Sequence, residues 1–92
     1  MQQQHLIDLA KQAIECNDFE DIQVYFENVR EMDLDWPTVF QKVYLHACLK
    51  GRKEIASWLQ DTVFPTMDPI QQIGLRQVFS YGRHLLKRVE KN

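Results

Sequence analysis

The sequence of 92 residues predicts an all-α fold of three stacked antiparallel helix-turn-helix hairpins, a short α-solenoid. The clearest hairpin spans residues 47–59, where the small residues Ala47 and Cys48 precede a turn at Gly51. Glycine adopts the left-handed conformation that ends many helices without the penalty a Cβ imposes. The apolar residues that follow recur at the spacing of one buried helical stripe: Ile55, Trp58 and Leu59.

The same pattern occurs twice more along the chain. Upstream, Ala13 and Asn17 correspond to Ala47 and Gly51, whereas the apolar positions of the second helix repeat in a frame that is one residue shorter. A one-residue change in the turn would absorb this difference. Downstream, the run around Gly82 repeats the pattern more weakly. Self-similarity at a fixed period, here roughly 33 residues, is typical of stacked repeats. We therefore predict one domain, residues 1–92, made of three hairpins: about 4–30, 36–62 and 69–91.

The first hairpin has clear helix signals. We expect its first helix from His5 to Cys16, and Asp18 should cap the second helix, with two acidic residues in the first turn favoured by the helix dipole. The predicted buried stripe of the first helix is Leu6, Leu9, Ala10 and Ala13. That of the second helix is Ile22, Tyr25, Phe26 and Val29.

The second and third hairpins begin with similar start signals. Asp35 and Pro37 mark one helix start, and Asp68 and Pro69 mark another, one repeat later. Pro65 should break the helix before the third hairpin, because proline disfavours helical geometry at the preceding residue. The first helix of the second hairpin has the broadest apolar face, so we expect neighbours on two sides: Val39, Phe40, Val43, Tyr44 and Ala47.

Composition predicts an ordinary intracellular domain, either cytoplasmic or nuclear. The chain carries no recognisable signal peptide or membrane-spanning apolar run, and we interpret Cys16 and Cys48 as reduced rather than disulfide-bonded. Charge is uneven, since residues 1–35 hold nine acidic and two basic side chains, a net charge of −7, and residues 70–92 carry +4. A linear stack would then have an acidic end and a basic end.

No constellation of residues indicates an enzyme. His5, His46 and His84 fall in three different predicted hairpins, and the sequence contains no CxxC, HExxH, GxSxG or phosphate-binding glycine loop. We therefore predict no catalysis, no cofactor and no metal.

Nucleic-acid binding is the main alternative, because basic residues concentrate near the end of the sequence. A sequence pI near 5.8 and the acidic first third argue against it, since they would repel a polyanion lying along the molecule. The candidate phosphate contacts are Arg76, Arg83, Lys87, Arg88 and Lys91.

The run Ala-Cys-x-x-Gly-x-x-Glu-Ile-Ala-x-Trp-Leu of residues 47–59 resembles the helix-turn-helix half of an ankyrin repeat, and Asn17 with the following helix is a looser match. A generic α-solenoid and an irregular helical bundle remain alternative folds. The resemblance implies a protein-binding scaffold whose concave face includes the two positions before each turn, extended by the connectors between repeats. Those positions are Glu15, Cys16, Leu49, Lys50, Ser80 and Tyr81, with Trp36 and Met67 at the connectors.

From this resemblance we expect a non-catalytic protein-protein interaction module, an adaptor, an inhibitor or an effector from a virus or intracellular bacterium. The expected partner is another protein. A second copy of the chain is an alternative partner, because a short stack that exposes apolar surface could use its own end.

Overall fold

Five α-helices form the protein in a computed structural model that describes residues 3–90. They are α1 (Gln3–Glu15), α2 (Phe19–Val29), α3 (Trp36–Leu49), α4 (Lys53–Trp58) and α5 (Pro69–Glu90). A π-helical turn (Leu59–Val63) and a 3₁₀ turn (Phe64–Thr66) join α4 to α5. Residues 3–90 contain no strand, so the all-α prediction is confirmed.

Two turns of matching geometry end α1 and α3. In the first turn the Asp18 N–H donates to the Ala13 carbonyl at 3.0 Å, and in the second the Arg52 N–H donates to the Ala47 carbonyl at 2.9 Å. This bond across the turn is the mark of a Schellman motif, which needs one left-handed residue. The left-handed residues are the two that the sequence predicted: Asn17 (φ 53°) and Gly51 (φ 72°).

The one-residue offset between the two hairpins lies outside the turns, contrary to our prediction. The N-cap residues Asp18 and Arg52 each follow the left-handed residue directly, so both turns have the same length. Because the hydrogen bonds of the Schellman motif fix the number of residues in the turn, the offset is taken up within the second helix of the hairpin. Asp18 does cap α2 as predicted, since its carboxylate accepts the Asp21 N–H at 3.0 Å.

Helices α1 and α3 lie side by side and run in the same direction. Near their starts, the Asp35 N–H donates to the Gln3 side-chain oxygen at 2.8 Å. Near their ends, the Arg52 guanidinium donates to the carbonyls of Ile14 and Glu15, at 3.0 and 2.8 Å. These bonds also satisfy carbonyl groups that the end of α1 leaves without intrahelical partners.

Helix α5 packs on the other side of α3, again in the same direction. The rings of Phe40 and Phe79 meet edge to face with centroids 6.0 Å apart, and Gly51, at the far end of α3, lies beside Val89. Later residues of α3 therefore contact later residues of α5, so the two helices run parallel. Helix α3 lies between α1 and α5. Helices α2 and α4 pack against α1 and α3 respectively, and against each other.

The core follows the predicted central helix. Its largest buried side chains include Phe40 and Tyr44 of α3, whose stacked rings both contact Phe79. The expected two-sided burial of α3 is therefore confirmed. In α1 one predicted core residue was wrong, because Leu9 is exposed. The large aliphatic side chains that α1 buries most completely are those of Ile7 and Ile14.

The third predicted hairpin is wrong, because residues 69–90 form one continuous helix. Gly82 has no left-handed φ and lies inside α5, where its missing side chain lets the helix approach Tyr44 and Cys48. No proline follows Gly82, and the leucine, lysine and arginine residues after it favour helix, so no residue there stops the helix.

The break expected at Pro65 falls later than predicted. The chain stays helical through Thr66 by changing its hydrogen-bond pattern, first to a π turn and then to a 3₁₀ turn. Proline lacks an N–H, so it cannot supply the donor that an α-helix would need there. Met67 is extended (ψ 158°), and α5 begins at Pro69 as the start signal predicted.

Two glycines of α5 provide a matched test of this packing. A Cβ at Gly82 would overlap the Tyr44 ring and lie 2.9 Å from the Cys48 sulfur, whereas a Cβ at Gly74 meets no atom of the described residues within 4 Å. We expect Gly82→Ala to lower the free energy of unfolding by about 1–3 kcal/mol through overpacking. Gly74→Ala should raise it by up to about 1 kcal/mol through helix propensity. Urea unfolding followed by circular dichroism measures both, and a stabilised Gly82→Ala would contradict the close approach of α3 and α5.

Candidate functional site

A cleft of about 390 Å³ lies between α2, the start of α3, the π and 3₁₀ turns, and the start of α5. We call it the aromatic cleft. Its apolar lining consists of Phe26, Trp36, Trp58, Val63 and Met67. Its polar lining includes Glu27, Arg30, Thr62, Thr66 and Asp68. A mainly apolar concavity with a few polar groups is the usual composition of a binding site.

Trp36 is held at one side of the cleft by the connector that precedes α3. Its indole N–H donates to the Met32 carbonyl at 3.3 Å, and Thr38 donates its hydroxyl to the Asp35 carboxylate at 2.7 Å. The centroids of the Trp36 and Phe26 rings are 6.4 Å apart. The hydrogen bond to Met32 and the contact with Phe26 position the indole ring at the cleft.

Met67 is positioned at the opposite side by the turns that precede α5. Gln72 donates its side-chain amide to the Met67 carbonyl at 2.8 Å, and Thr66 donates its hydroxyl to the Val63 carbonyl at 2.7 Å. The side chain is partly buried against the core. A methionine side chain adapts its shape to an apolar partner, so this position suits contact with a ligand.

Phe26 and Trp58 join the two sides of the cleft. Their rings meet edge to face with centroids 6.0 Å apart, and Trp58 also contacts Phe19 at 5.9 Å. Aromatic pairs in this arrangement add about 0.5–1.5 kcal/mol beyond the area that they bury. The cleft therefore has a rigid floor that is part of the packed core.

The aromatic cleft brings together two of the residues that the sequence singled out, Trp36 and Met67. It also contains Phe26 and Trp58, which the sequence analysis assigned only to buried helical stripes. Their helical spacing predicts that both side chains are buried. It does not predict that they line a cleft. Both residues line the cleft because the two connectors approach each other in space.

A second group of predicted residues meets at the ends of α1 and α3. The Glu15 carboxylate lies 3.5 Å from His46 Nε2 and 3.8 Å from the Lys50 ammonium. Leu49 beside them is 56% exposed, so it does not pack under a neighbouring helix. Glu15, Leu49 and Lys50 therefore form an accessible ridge of mixed charge with one apolar residue, which we call the ridge.

The remaining predicted contact residues lie apart from the ridge. Cys16 is exposed and lines a different groove of about 390 Å³ between α1 and α2, which we call the α1–α2 groove. Ser80 and Tyr81 are exposed in the middle of α5. The sequence predicts them as the positions before a turn at Gly82, and the structure has no turn there.

The predicted basic residues of α5 are exposed, and three of them share one side of the helix. Arg76, Arg83 and Lys87 recur at intervals of seven and four, the spacing of a helical stripe. Arg88 projects from another side of the helix at this spacing, and Lys91 lies outside the described residues.

Burial shifts the pKa of two titratable groups near these surfaces. Burial, with the charges of Lys11 and Lys50, lowers the pKa of His46 below its ordinary value, while Glu15 opposes the shift. Burial raises the pKa of Tyr25 to about 12, and its hydroxyl has no hydrogen-bond partner among the residues described. Within residues 3–90 no three His, Cys, Asp or Glu side chains are grouped as a metal site would need.

Over the same part of the chain, no helix combines the length and apolarity needed to cross a bilayer. No protein-family model, curated protein or solved structure matches this sequence, so the resemblance to ankyrin repeats stays a prediction.

Alanine substitutions of Arg52 and Lys50 compare how much two contacts near the ridge stabilise the fold. Arg52→Ala removes the charged donor from the carbonyls of Ile14 and Glu15, so we expect a loss of about 1.5–3 kcal/mol in the free energy of unfolding. Lys50→Ala removes only an exposed ion pair, which should change it by less than about 0.5 kcal/mol. Equal losses, measured by urea unfolding, would contradict the anchoring role of Arg52.

His46 should make the stability depend on pH. Its pKa is lower in the folded protein than the ordinary 6.5 expected in the unfolded chain, so the unfolded state binds more protons as the pH falls through this range. Stability should therefore decrease below about pH 6.5, and His46→Gln should flatten this part of the curve. Melting temperatures between pH 7.5 and about 5.5 test it, with Lys42→Gln, an exposed position on the same helix, as the control.

Proposed function

We propose that this protein is a non-catalytic binding module that recognises another protein through the aromatic cleft. The cleft carries this proposal, because three aromatic rings and a methionine surround one concavity with polar groups at its edge. Buried aromatic side chains are enriched among the residues that dominate binding energy at protein interfaces.

The chemistry of the cleft suits a peptide segment that inserts one large apolar side chain. The rings of Phe26 and Trp58 would cover that side chain, and Met67 would adapt to its shape. Thr62, Thr66 and Gln71 at the edge could exchange hydrogen bonds with the peptide backbone. Carboxylates and a guanidinium are both present, from Glu27, Asp68 and Arg30, so neither charge sign dominates recognition.

We also infer that the helices form an ankyrin-like stack, truncated by the continuous helix α5. Support comes from the matching turns at Asn17 and Gly51 and from the common direction of α1, α3 and α5. In such a stack the ridge would lie at one edge of the binding surface. Whether the protein acts as an adaptor, an inhibitor or an effector from a virus or intracellular bacterium depends on its partner.

Nucleic-acid binding is the second candidate, favoured by the stripe of Arg76, Arg83 and Lys87 along α5. Neutralising phosphates at these three residues would release counterions, so affinity for single-stranded DNA would fall with salt with a log–log slope of about −2. The net charge of −7 on residues 1–35 opposes such binding.

The cleft assignment is tested by affinity capture with variants of the cleft and the ridge. Thr62→Arg with Met67→Asp fills the cleft with charge, whereas Leu49→Asp with Lys50→Glu changes the ridge alone. We expect the protein captured by the wild type to bind the cleft variant at least about tenfold more weakly, the scale of a lost interface hot spot. The ridge variant should bind it normally.

Circular dichroism and melting curves must show that both variants fold. Loss of binding only in the ridge variant would place the interface on the ridge and contradict the cleft assignment. A wild-type protein that captures nucleic acid instead, with the salt dependence described above, would favour the second candidate.

A further inference from the structure

The two end elements of the described helices expose apolar residues beside charges of opposite sign. At one end, the α1–α2 groove contains Leu9 and Val24, which are 42% and 46% exposed. Asp18 and Asp21 line the same groove, and both are exposed. This groove belongs to the first 35 residues, whose net charge is −7.

At the other end, the outer side of α5 exposes apolar residues and the basic residue Arg88. Ile70 and Ile73 are 84% and 69% exposed, and Tyr81 is more than half exposed. Positions separated by three or four residues lie on one side of a helix. The exposed positions of α5 that follow this spacing lie opposite its buried residues. We define the α5 face by these exposed positions: Ile70, Ile73, Gln77, Tyr81, His84 and Arg88.

We propose that the α5 face of one copy binds the α1–α2 groove of a second copy, so that the protein associates head to tail. Each copy contributes a different surface, so one contact leaves a free α5 face at one end and a free groove at the other. The occupant is another copy of this chain because the molecule itself carries both complementary surfaces. This contact is separate from the aromatic cleft.

The register of the internal packing aligns the opposite charges. Val89 of α5 lies beside Gly51, whose counterpart in the first turn is Asn17. If α5 packs on α1 of the next copy with the same direction and level, Arg88 lies near Asp18 and Asp21. This arrangement pairs the Arg88 guanidinium with the two carboxylates beside the turn between α1 and α2.

The same register places Tyr81 against the apolar residues of the groove. Tyr81 lies two helical turns before Arg88, which places it at the level of Leu9 and Val24. Burial of these side chains would supply the favourable free energy, while the charges fix the orientation and speed association. Association should therefore weaken as the ionic strength rises.

The test uses two variants of the full chain that each disable one surface. Leu9→Gln with Val24→Gln removes the large exposed apolar side chains of the groove, and Tyr81→Gln with Arg88→Gln removes the two side chains of the α5 face that the register places against it. All four positions are exposed and glutamine favours helix without adding charge, so both variants should fold. Sedimentation velocity at high micromolar concentration and low salt measures the assembly.

We expect the wild type to form a concentration-dependent series that extends beyond a dimer. Each variant alone should associate at least about tenfold more weakly. An equimolar mixture of the two should form a one-to-one dimer and nothing larger, because it contains one intact groove and one intact α5 face. This recovery on mixing is the result that only a head-to-tail contact produces.

Three results would overturn the proposal. A wild type that stays monomeric at every concentration shows that the two surfaces do not bind each other. A variant that self-associates as strongly as the wild type shows a contact between identical surfaces. A mixture that remains monomeric, although the wild type assembles, shows that the two named surfaces are not the ones in contact.

Discussion

The structure depends on the burial of α3 between two parallel neighbours. A helix with apolar residues around most of its circumference is stable in water only when other elements cover it on more than one side. Helix α1 covers one side and α5 the other, and the stacked rings of Phe40 and Tyr44 fill the contact with α5. The approach of α5 is close because Gly82 presents no side chain at the point where it meets Tyr44. In a chain of 92 residues this one layer accounts for much of the core.

The aromatic cleft is a consequence of the same arrangement. With α1, α3 and α5 aligned, the connectors before α3 and before α5 both reach the side of the molecule where α2 and α4 pack. The chain before α5 must also pass Pro65, and it does so through a π turn and a 3₁₀ turn instead of a regular helix. These turns bring Thr62 and Met67 into the cleft lining that Trp36 shares. The binding surface is thus built from connectors that are fixed by rigid helices, a common location for recognition sites.

Charge adds a second level of organisation to the helices. Acidic residues concentrate in residues 1–35 and basic residues in α5, so the charge of the molecule changes sign along the direction in which α1, α3 and α5 pack. Arg52, at a helix turn, stabilises the fold by donating hydrogen bonds to the carbonyl groups at the end of α1. The opposite charges at the two ends of the molecule can attract other charged molecules.

The helical class, the Asp18 cap of α2, the starts of α3 and α5, and the left-handed turns at Asn17 and Gly51 all follow from the sequence alone. These features depend on local physics: a capping side chain, a proline in the first turn, or a residue that tolerates positive φ. The fate of Gly82 depended on tertiary structure, because a glycine can end a helix or admit a close neighbour, and only the presence of Tyr44 and Cys48 distinguishes the two. The aromatic cleft was likewise decided by tertiary structure, since Trp36 and Met67 belong to separate connectors, distant in the sequence, and meet only when both connectors fold over the same core.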